Sequence, residues 1–279
     1  MNFFEKYLLL AEKNNSRLCV GIDPDPSRIP PGVTMREFLL SVVESTSDLV
    51  CSYKPNIAFF EREGIEGITL LNELITIIPR EIPVILDAKR GDIGHTGEAY
   101  ATAIFDRMNA DAVTVNPYLG KDSVSPFFNR PEKGVFVLCK TSNPGSSDFQ
   151  DLLVGESNQP LFLHVARQAQ EWNINGNIGL VVGATYPEEA ALLRSEEVEL
   201  PFLIPGVGAQ SGDLEAVISS SSDRNGGGFI INSSRGILYA WEEGTAGDPG
   251  CAPGGWQDSI RQAAEQTRSD ITATLDKRI

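Results

Sequence analysis

Basic residues are scarce in this chain. Lysines and arginines number 23 against 38 aspartates and glutamates, and a net charge of −15 with a pI near 4.6 leaves no basic face for a nucleic acid. A small anion remains an acceptable ligand where the site supplies its own cations. Long apolar runs are missing too: the N-terminus, MNFFEKYLLLAEKNN, has one short apolar patch, interrupted by Glu5 and Lys6, and no small-residue cleavage site. Neither a signal peptide nor a membrane span is expected, which predicts a cytoplasmic protein with no membrane partner. The four cysteines, Cys19, Cys51, Cys139 and Cys251, form no C-x-x-C pair, and three lie inside apolar runs. They read as reduced core thiols. No G-x-G-x-x-G occurs, so no cofactor motif is visible. Of the two histidines, His164 lies within a helical pattern and reads as structural, while His95 closes the motif described next.

What is present is a chain of 279 residues with 41% hydrophobic content. That is enough for an α/β barrel of roughly 250 residues plus trimmings, and a single domain over 1–279 is expected. Its organising stretch is Val84-Ile85-Leu86-Asp87-Ala88-Lys89-Arg90-Gly91-Asp92-Ile93-Gly94-His95-Thr96. Three apolar residues behind Pro83 predict a buried strand, with charge arriving at the end where a parallel sheet presents ligand-binding groups. Residues two apart in an extended chain face the same side, so Asp87 and Lys89 project together and Ala88 faces the packing layer. Gly91 lets the backbone turn before a helix near Gly94, lifting Asp92 off the strand to complete an alternating Asp, Lys, Asp array. Taken alone, D-x-K also describes an ordinary ion pair at a strand end.

The same unit recurs. Apolar spacing at Phe3, Phe4, Tyr7, Leu8 and Ala11 predicts an amphipathic helix over 3–13 that lids the barrel floor. Strands follow over 17–23, ending in Asp23, and over 50–54, ending in Lys54; the central stretch is the third. The fourth spans 111–117, and the fifth, 134–139, leads into Lys140-Thr141-Ser142-Asn143-Pro144-Gly145. A sixth covers 177–182. The seventh, 201–205, runs into Gly206-Val207-Gly208-Ala209-Gln210, and the eighth, 229–232, ends in Ser233-Ser234-Arg235-Gly236. Between them, Thr34 and Glu37 form a capping box that opens a helix to about Val50. Further helices are expected over 56–78, after the third strand with Ala99, Ala103 and Met108 toward the sheet, and over 160–172, 187–194 and 256–275. Four prolines between Pro24 and Pro31 exclude helix there. Residues 144–159 read as a long loop able to close over a ligand, 219–228 as a mobile connection, and 244–255 as another loop.

Eight apolar strands alternating with helices predict a (β/α)₈ TIM barrel. An open doubly wound sheet would concentrate polar chemistry at one switch point, whereas here every strand end carries it. Two glycine-bearing turns after the seventh and eighth strands, with Gln210 and Arg235, match the usual phosphate site of such barrels. P-G-V-G alone is equally an ordinary tight turn. Arg235 on the neighbouring strand favours phosphate.

Asp23, Lys54, D-A-K-R-G-D-I-G-H-T from Asp87 to Thr96, T-S-N from Thr141, P-G-V-G-A-Q from Pro205 and S-S-R-G from Ser233, in this order, resemble orotidine 5′-phosphate decarboxylase, in particular its longer bacterial (type 2) subfamily. The resemblance covers nearly the whole barrel, departing at His95, where a small residue such as Ser is expected. It implies conversion of orotidine 5′-phosphate to UMP and CO₂ in de novo pyrimidine biosynthesis, with no cofactor and no metal. Lys89 would be the proton donor to C6, Asp87 would face the departing carboxylate, and Asp92 would enter the partner's site in a homodimer. Lys54 and Asp23 would hold the ribose hydroxyls, Ser142 the pyrimidine amide edge, and Gln210 and Arg235 the 5′-phosphate. Thr96, Pro205 and Gly236 complete the implied substrate-binding set.

Two rivals stand beside this reading. A sugar-phosphate decarboxylase or aldolase of the same suprafamily holds Mg²⁺ with its carboxylates, and would carry an acid where this chain has Lys54. A catalytically silent barrel that senses a nucleotide is the rival from another class; the intact Lys89, Asp87 and Asp92 weigh against it.

Overall fold

A computed structural model describes residues 1–156, 158–206, 214–243 and 255–277. Its eight parallel strands are β1 (Leu18–Ile22), β2 (Ser52–Pro55), β3 (Ile85–Arg90), β4 (Ala112–Val115), β5 (Gly134–Lys140), β6 (Ile178–Val182), β7 (Phe202–Pro205) and β8 (Phe229–Ser233). They run in the order β2-β1-β8-β7-β6-β5-β4-β3. Parallel bridges from Tyr53 to Val84 and from Asn56 to Asp87 join the two ends. The sheet closes into a barrel, and the doubly wound alternative is excluded.

Strands covered on both faces are largely apolar, and β1, β2, β4 and β6 are buried along their whole length, with Ser52, Lys54 and Thr114 as the buried polar exceptions in β2 and β4. Alternate residues divide between two layers. Leu18, Val20, Ile22, Val113 and Val115 pack outward under the helices. Cys19, Ile85, Ala112, Phe136, Val181, Leu203 and Ile230 instead fill the lumen, where Phe3, Phe4, Tyr7 and Ala11 of the helix Phe3–Lys13 join them. That helix plugs the floor as its spacing predicts. An Asn2–Glu5 capping box starts it, and the Tyr7 hydroxyl donates to the Phe229 carbonyl at 2.7 Å. The Phe3 ring meets Phe136 edge-on at 5.6 Å. A Cβ on residue 134 would sit 2.6 Å from that ring, so Gly134 makes room for the plug. Each buried phenylalanine contributes about 2 to 3 kcal/mol.

Several helix details differ from the sequence expectation. The Thr34–Glu37 capping box is present, but its helix, Met35–Thr46, stops short of Val50. The segment expected over 56–78 is two helices, Ile57–Glu61 and Gly64–Ile77, separated where Gly64 takes φ +65°. After β3, the helix Gly94–Thr102 passes into a π-turn over Ala103–Arg107. Gly97, Ala101, Ile104 and Phe105 are the buried residues, at helical spacing across the junction. Ala99 is exposed, Ala103 is half-buried and Met108 packs at the edge of the core. A 3₁₀ turn at Pro26–Arg28 interrupts the proline-rich segment, with Pro26 at its first position, where the missing N–H costs nothing. Residues 144–160 hold a 3₁₀ turn and a short hairpin of Leu153–Val154 with Gln159–Pro160. The start of the connection expected over 219–228 belongs to the helix Leu214–Ser221. Cys19, Cys51 and Cys139 are buried and free; burial pushes the Cys19 thiol up to about 12. Among the described residues, no helix is long and apolar enough to cross a membrane.

Candidate active site

At the C-terminal mouth of the barrel, Asp87 is 8% exposed and its carboxylate gathers three donors. Lys54 Nζ donates to Oδ2 at 3.0 Å, Lys89 Nζ to Oδ1 at 2.6 Å, and the Thr114 hydroxyl to Oδ1 at 2.8 Å. Burial alone would push the Asp87 carboxyl up, but the charges of Lys54 and Lys89 outweigh it and hold the group far below the usual carboxylate range. Burial would likewise lower Lys54; the charges of Asp87 and Asp23 reverse this and raise it above an ordinary lysine. The two cations differ in reach. The Lys54 side chain is 5% exposed and the Lys89 side chain 49%, so Lys89 is the one open to the mouth.

Asp87 and Lys89 meet as their two-residue spacing predicts. Asp92 does not join them within the chain. Its backbone N–H is held by the Ser123 carbonyl at 3.2 Å, and its carboxylate accepts the Ile93 N–H at 2.8 Å. Within the single chain the cluster is Lys54, Asp87 and Lys89, and among the described residues no cation pairs with Asp92. Thr96 and His95, on the exposed first turn of the following helix, lie beyond the cluster.

On the other side of Lys54, Asp23 follows β1. Its Oδ2 accepts the Ser234 hydroxyl at 2.7 Å, while its carbonyl accepts the Tyr239 hydroxyl at 2.9 Å. Asp23 Oδ1 and Asn232 Oδ1 are buried without a partner among the described residues. Buried polar atoms are almost always paired, so these two acceptors are suited to ligand donors. Asn232 lies in register with Pro205 of β7, and its carboxamide lies over Gly21.

Around the mouth, the Ser142 backbone packs against Gly183, and its Oγ lies 3.9 Å from where a side chain on Gly206 would begin. The loop that follows folds back onto β5. Gln150 Oε1 accepts the Thr141 N–H at 2.9 Å, and the buried Lys140 pairs with Asp151 at 2.5 Å and Glu189 at 3.1 Å. Arg235 and Gly236 are exposed at the end of β8, and Arg235 forms no ion pair among the described residues. A guanidinium without a carboxylate partner is available to an anion. Gln210 lies outside the described residues, as does Cys251.

Sequence reasoning passed over Thr114, Asn232 and Ser234. Thr114 is the polar residue in an otherwise apolar β4, and it lies on the lumen face in step with Ala112; those two facts together mark it. Ser234 and Asn232 were legible only as part of a polar strand end. Among the described residues, no group of three or more His, Cys, Asp or Glu is arranged to hold a metal ion.

A family model described as orotidine 5′-phosphate decarboxylase / HUMPS matches residues 16–248. An orotidine 5′-phosphate decarboxylase of Dehalococcoides mccartyi is 49% identical over 273 residues, covering 97% of each chain. One from Roseiflexus castenholzii is 46% identical over 281 residues, covering 99% of each. Among solved structures, an OMP decarboxylase from Leishmania donovani superposes with a TM-score of 0.83 at 42% identity, covering 99% of both chains.

Proposed function

The chain belongs to the orotidine 5′-phosphate decarboxylase / HUMPS family, and on that premise we propose that it converts orotidine 5′-phosphate to UMP and CO₂ with Lys89 delivering the proton to C6. The observation that carries this reading is the cluster at the end of β3: an open ammonium fixed by a carboxylate that a second, buried ammonium and a hydroxyl hold in place.

Cleavage of the C6–carboxylate bond leaves its electron pair on C6 in the plane of the pyrimidine ring, where the carbonyl π-system gives it no relief. Stabilisation has to come from fixed charge. The Lys89 ammonium supplies it without reorganising, because Asp87 anchors it from one side. Transfer of a proton from Nζ to C6 completes UMP and leaves a neutral amine, which solvent reprotonates. Asp87, placed beside the departing carboxylate, is kept ionised by Lys54 and Lys89, so the two anions repel until CO₂ leaves. Asp23 and Lys54 bind the ribose hydroxyls, and Ser142 the pyrimidine amide edge. Arg235 and Gln210, with Pro205 and Gly236 alongside, take the phosphate, whose binding energy serves a reaction at an atom remote from it.

Each site is completed across a two-fold axis by Asp92 of a second copy, in a cytoplasmic homodimer. The support is that Asp92 stands past the strand and, among the described residues, pairs with no cation. Purified protein is expected to turn orotidine 5′-phosphate into UMP, identified by mass and by the change in ultraviolet absorbance; substrate left intact would refute the assignment. Arg235→Ala should cost about 1.5 to 3 kcal/mol in kcat/KM, the scale of a hydrogen bond to a charged group. Orotidine lacking the phosphate should be scarcely affected. Equal losses on both substrates would make Arg235 structural.

A further inference from the structure

Thr114 is 2% exposed and sits where β3 leaves the regular ladder. Pairing with β4 runs Ile85 to Ala112 and Leu86 to Val113, then shifts to Arg90 with Val115. Inside that irregularity Lys89 adopts φ +48°, a left-handed conformation disfavoured for a residue with a side chain. Such strain persists only where the surroundings hold it.

The restraint comes from one hydroxyl. Backbone N–H groups of Ala88 and Lys89 both donate to Thr114 Oγ1, each at 3.0 Å, and the same hydroxyl donates to Asp87 Oδ1 at 2.8 Å. A hydroxyl has one hydrogen and two acceptor positions, so its capacity is fully used. Asp87 Oδ1 is also the oxygen that Lys89 holds, at 2.6 Å. A single buried atom thus fixes the backbone that aims Lys89 and the carboxylate oxygen that anchors its ammonium.

We propose that Thr114 is a positioning residue for the decarboxylation, setting where Lys89 Nζ stands relative to C6. This rests on the reading of Lys89 as proton donor and extends it to a residue on the neighbouring strand that touches no substrate. Valine has nearly the same shape and lacks the hydroxyl; serine keeps the hydroxyl and lacks the methyl.

The experiment compares Thr114→Val, Thr114→Ala and Thr114→Ser with wild type. Competent sites are counted by calorimetric titration with UMP, and turnover is expressed per UMP-binding site. For Val and Ala, kcat per site should fall about a hundredfold, the scale of a misplaced reacting group. UMP affinity should stay within about threefold, since the loss falls on chemistry. Thr114→Ser should keep kcat within about threefold of wild type, because the three hydrogen bonds survive. A purely structural role would reduce the number of competent sites and leave kcat per site unchanged, overturning the proposal. So would a Thr114→Ser variant whose kcat per site falls about a hundredfold below wild type, a result that remains decisive if Val and Ala do not fold. Failure of the underlying reading is a separate outcome: wild-type protein that leaves orotidine 5′-phosphate unchanged, or Lys89→Ala that retains its turnover.

Discussion

Lys89→Ala is expected to lower kcat by about a thousandfold or more while UMP binding changes by no more than a few-fold. Removing one preorganised group aimed at developing charge costs about 10² to 10³, and here the same group is also the proton donor. Because UMP carries no charge at C6, the ground-state complex has little to lose. The variant should remain folded, since the Lys89 side chain is 49% exposed and Asp87 keeps Lys54 and Thr114 as partners. Stopped turnover with intact UMP affinity is the pattern of a contact made only in the transition state. A variant with most of its kcat would remove Lys89 from the mechanism.

The second large effect is a recovery rather than a loss. Lys89→Ala and Asp92→Ala dimers, each inactive alone, are mixed and allowed to exchange subunits. If a site takes Lys89 from one chain and Asp92 from the other, a hybrid dimer has one site with both defects and one with neither. Random exchange makes about half of the dimers hybrids, so activity should return to roughly a quarter of wild type by the symmetry of an isologous two-fold interface. If Asp92 served its own chain, both sites of every hybrid would stay broken. No recovery, with exchange confirmed by mass spectrometry, would contradict the shared site.

Much of this site could be read in the sequence because its logic is local. The two-residue spacing of Asp87 and Lys89 suggested that they project together, as they do although Lys89 sits in a bulge with φ +48°, and their position after Val84-Ile85-Leu86 marks the ligand-binding end. Contacts set by neighbouring strands were not legible in the same way. Lys54 reaches Asp87 because β2 and β3 close the barrel in one register, with Asn56 beside Asp87, and no spacing within either segment encodes that register. Thr114 looks like an ordinary β-branched strand former until a bulge in β3 turns two backbone N–H groups toward it. The burial face after β3 was misread because alanines were taken as its markers: the real face, Gly97, Ala101, Ile104 and Phe105, keeps the helical period but begins at a glycine that carries no apolar signal. Within its own chain the Asp92 carboxylate accepts the Ile93 N–H, and its proposed role belongs to the second copy.

The most direct test of the central claim, that fixed protein charge alone drives the decarboxylation, is turnover of orotidine 5′-phosphate by wild-type protein dialysed against EDTA and assayed with EDTA present. The Lys54–Asp87–Lys89 cluster predicts UMP formation at an undiminished rate, because both ammonium groups that surround the carboxylate belong to the chain. Loss of activity under EDTA and its return on adding Mg²⁺ would contradict this and place the chemistry with the metal-dependent members of the suprafamily.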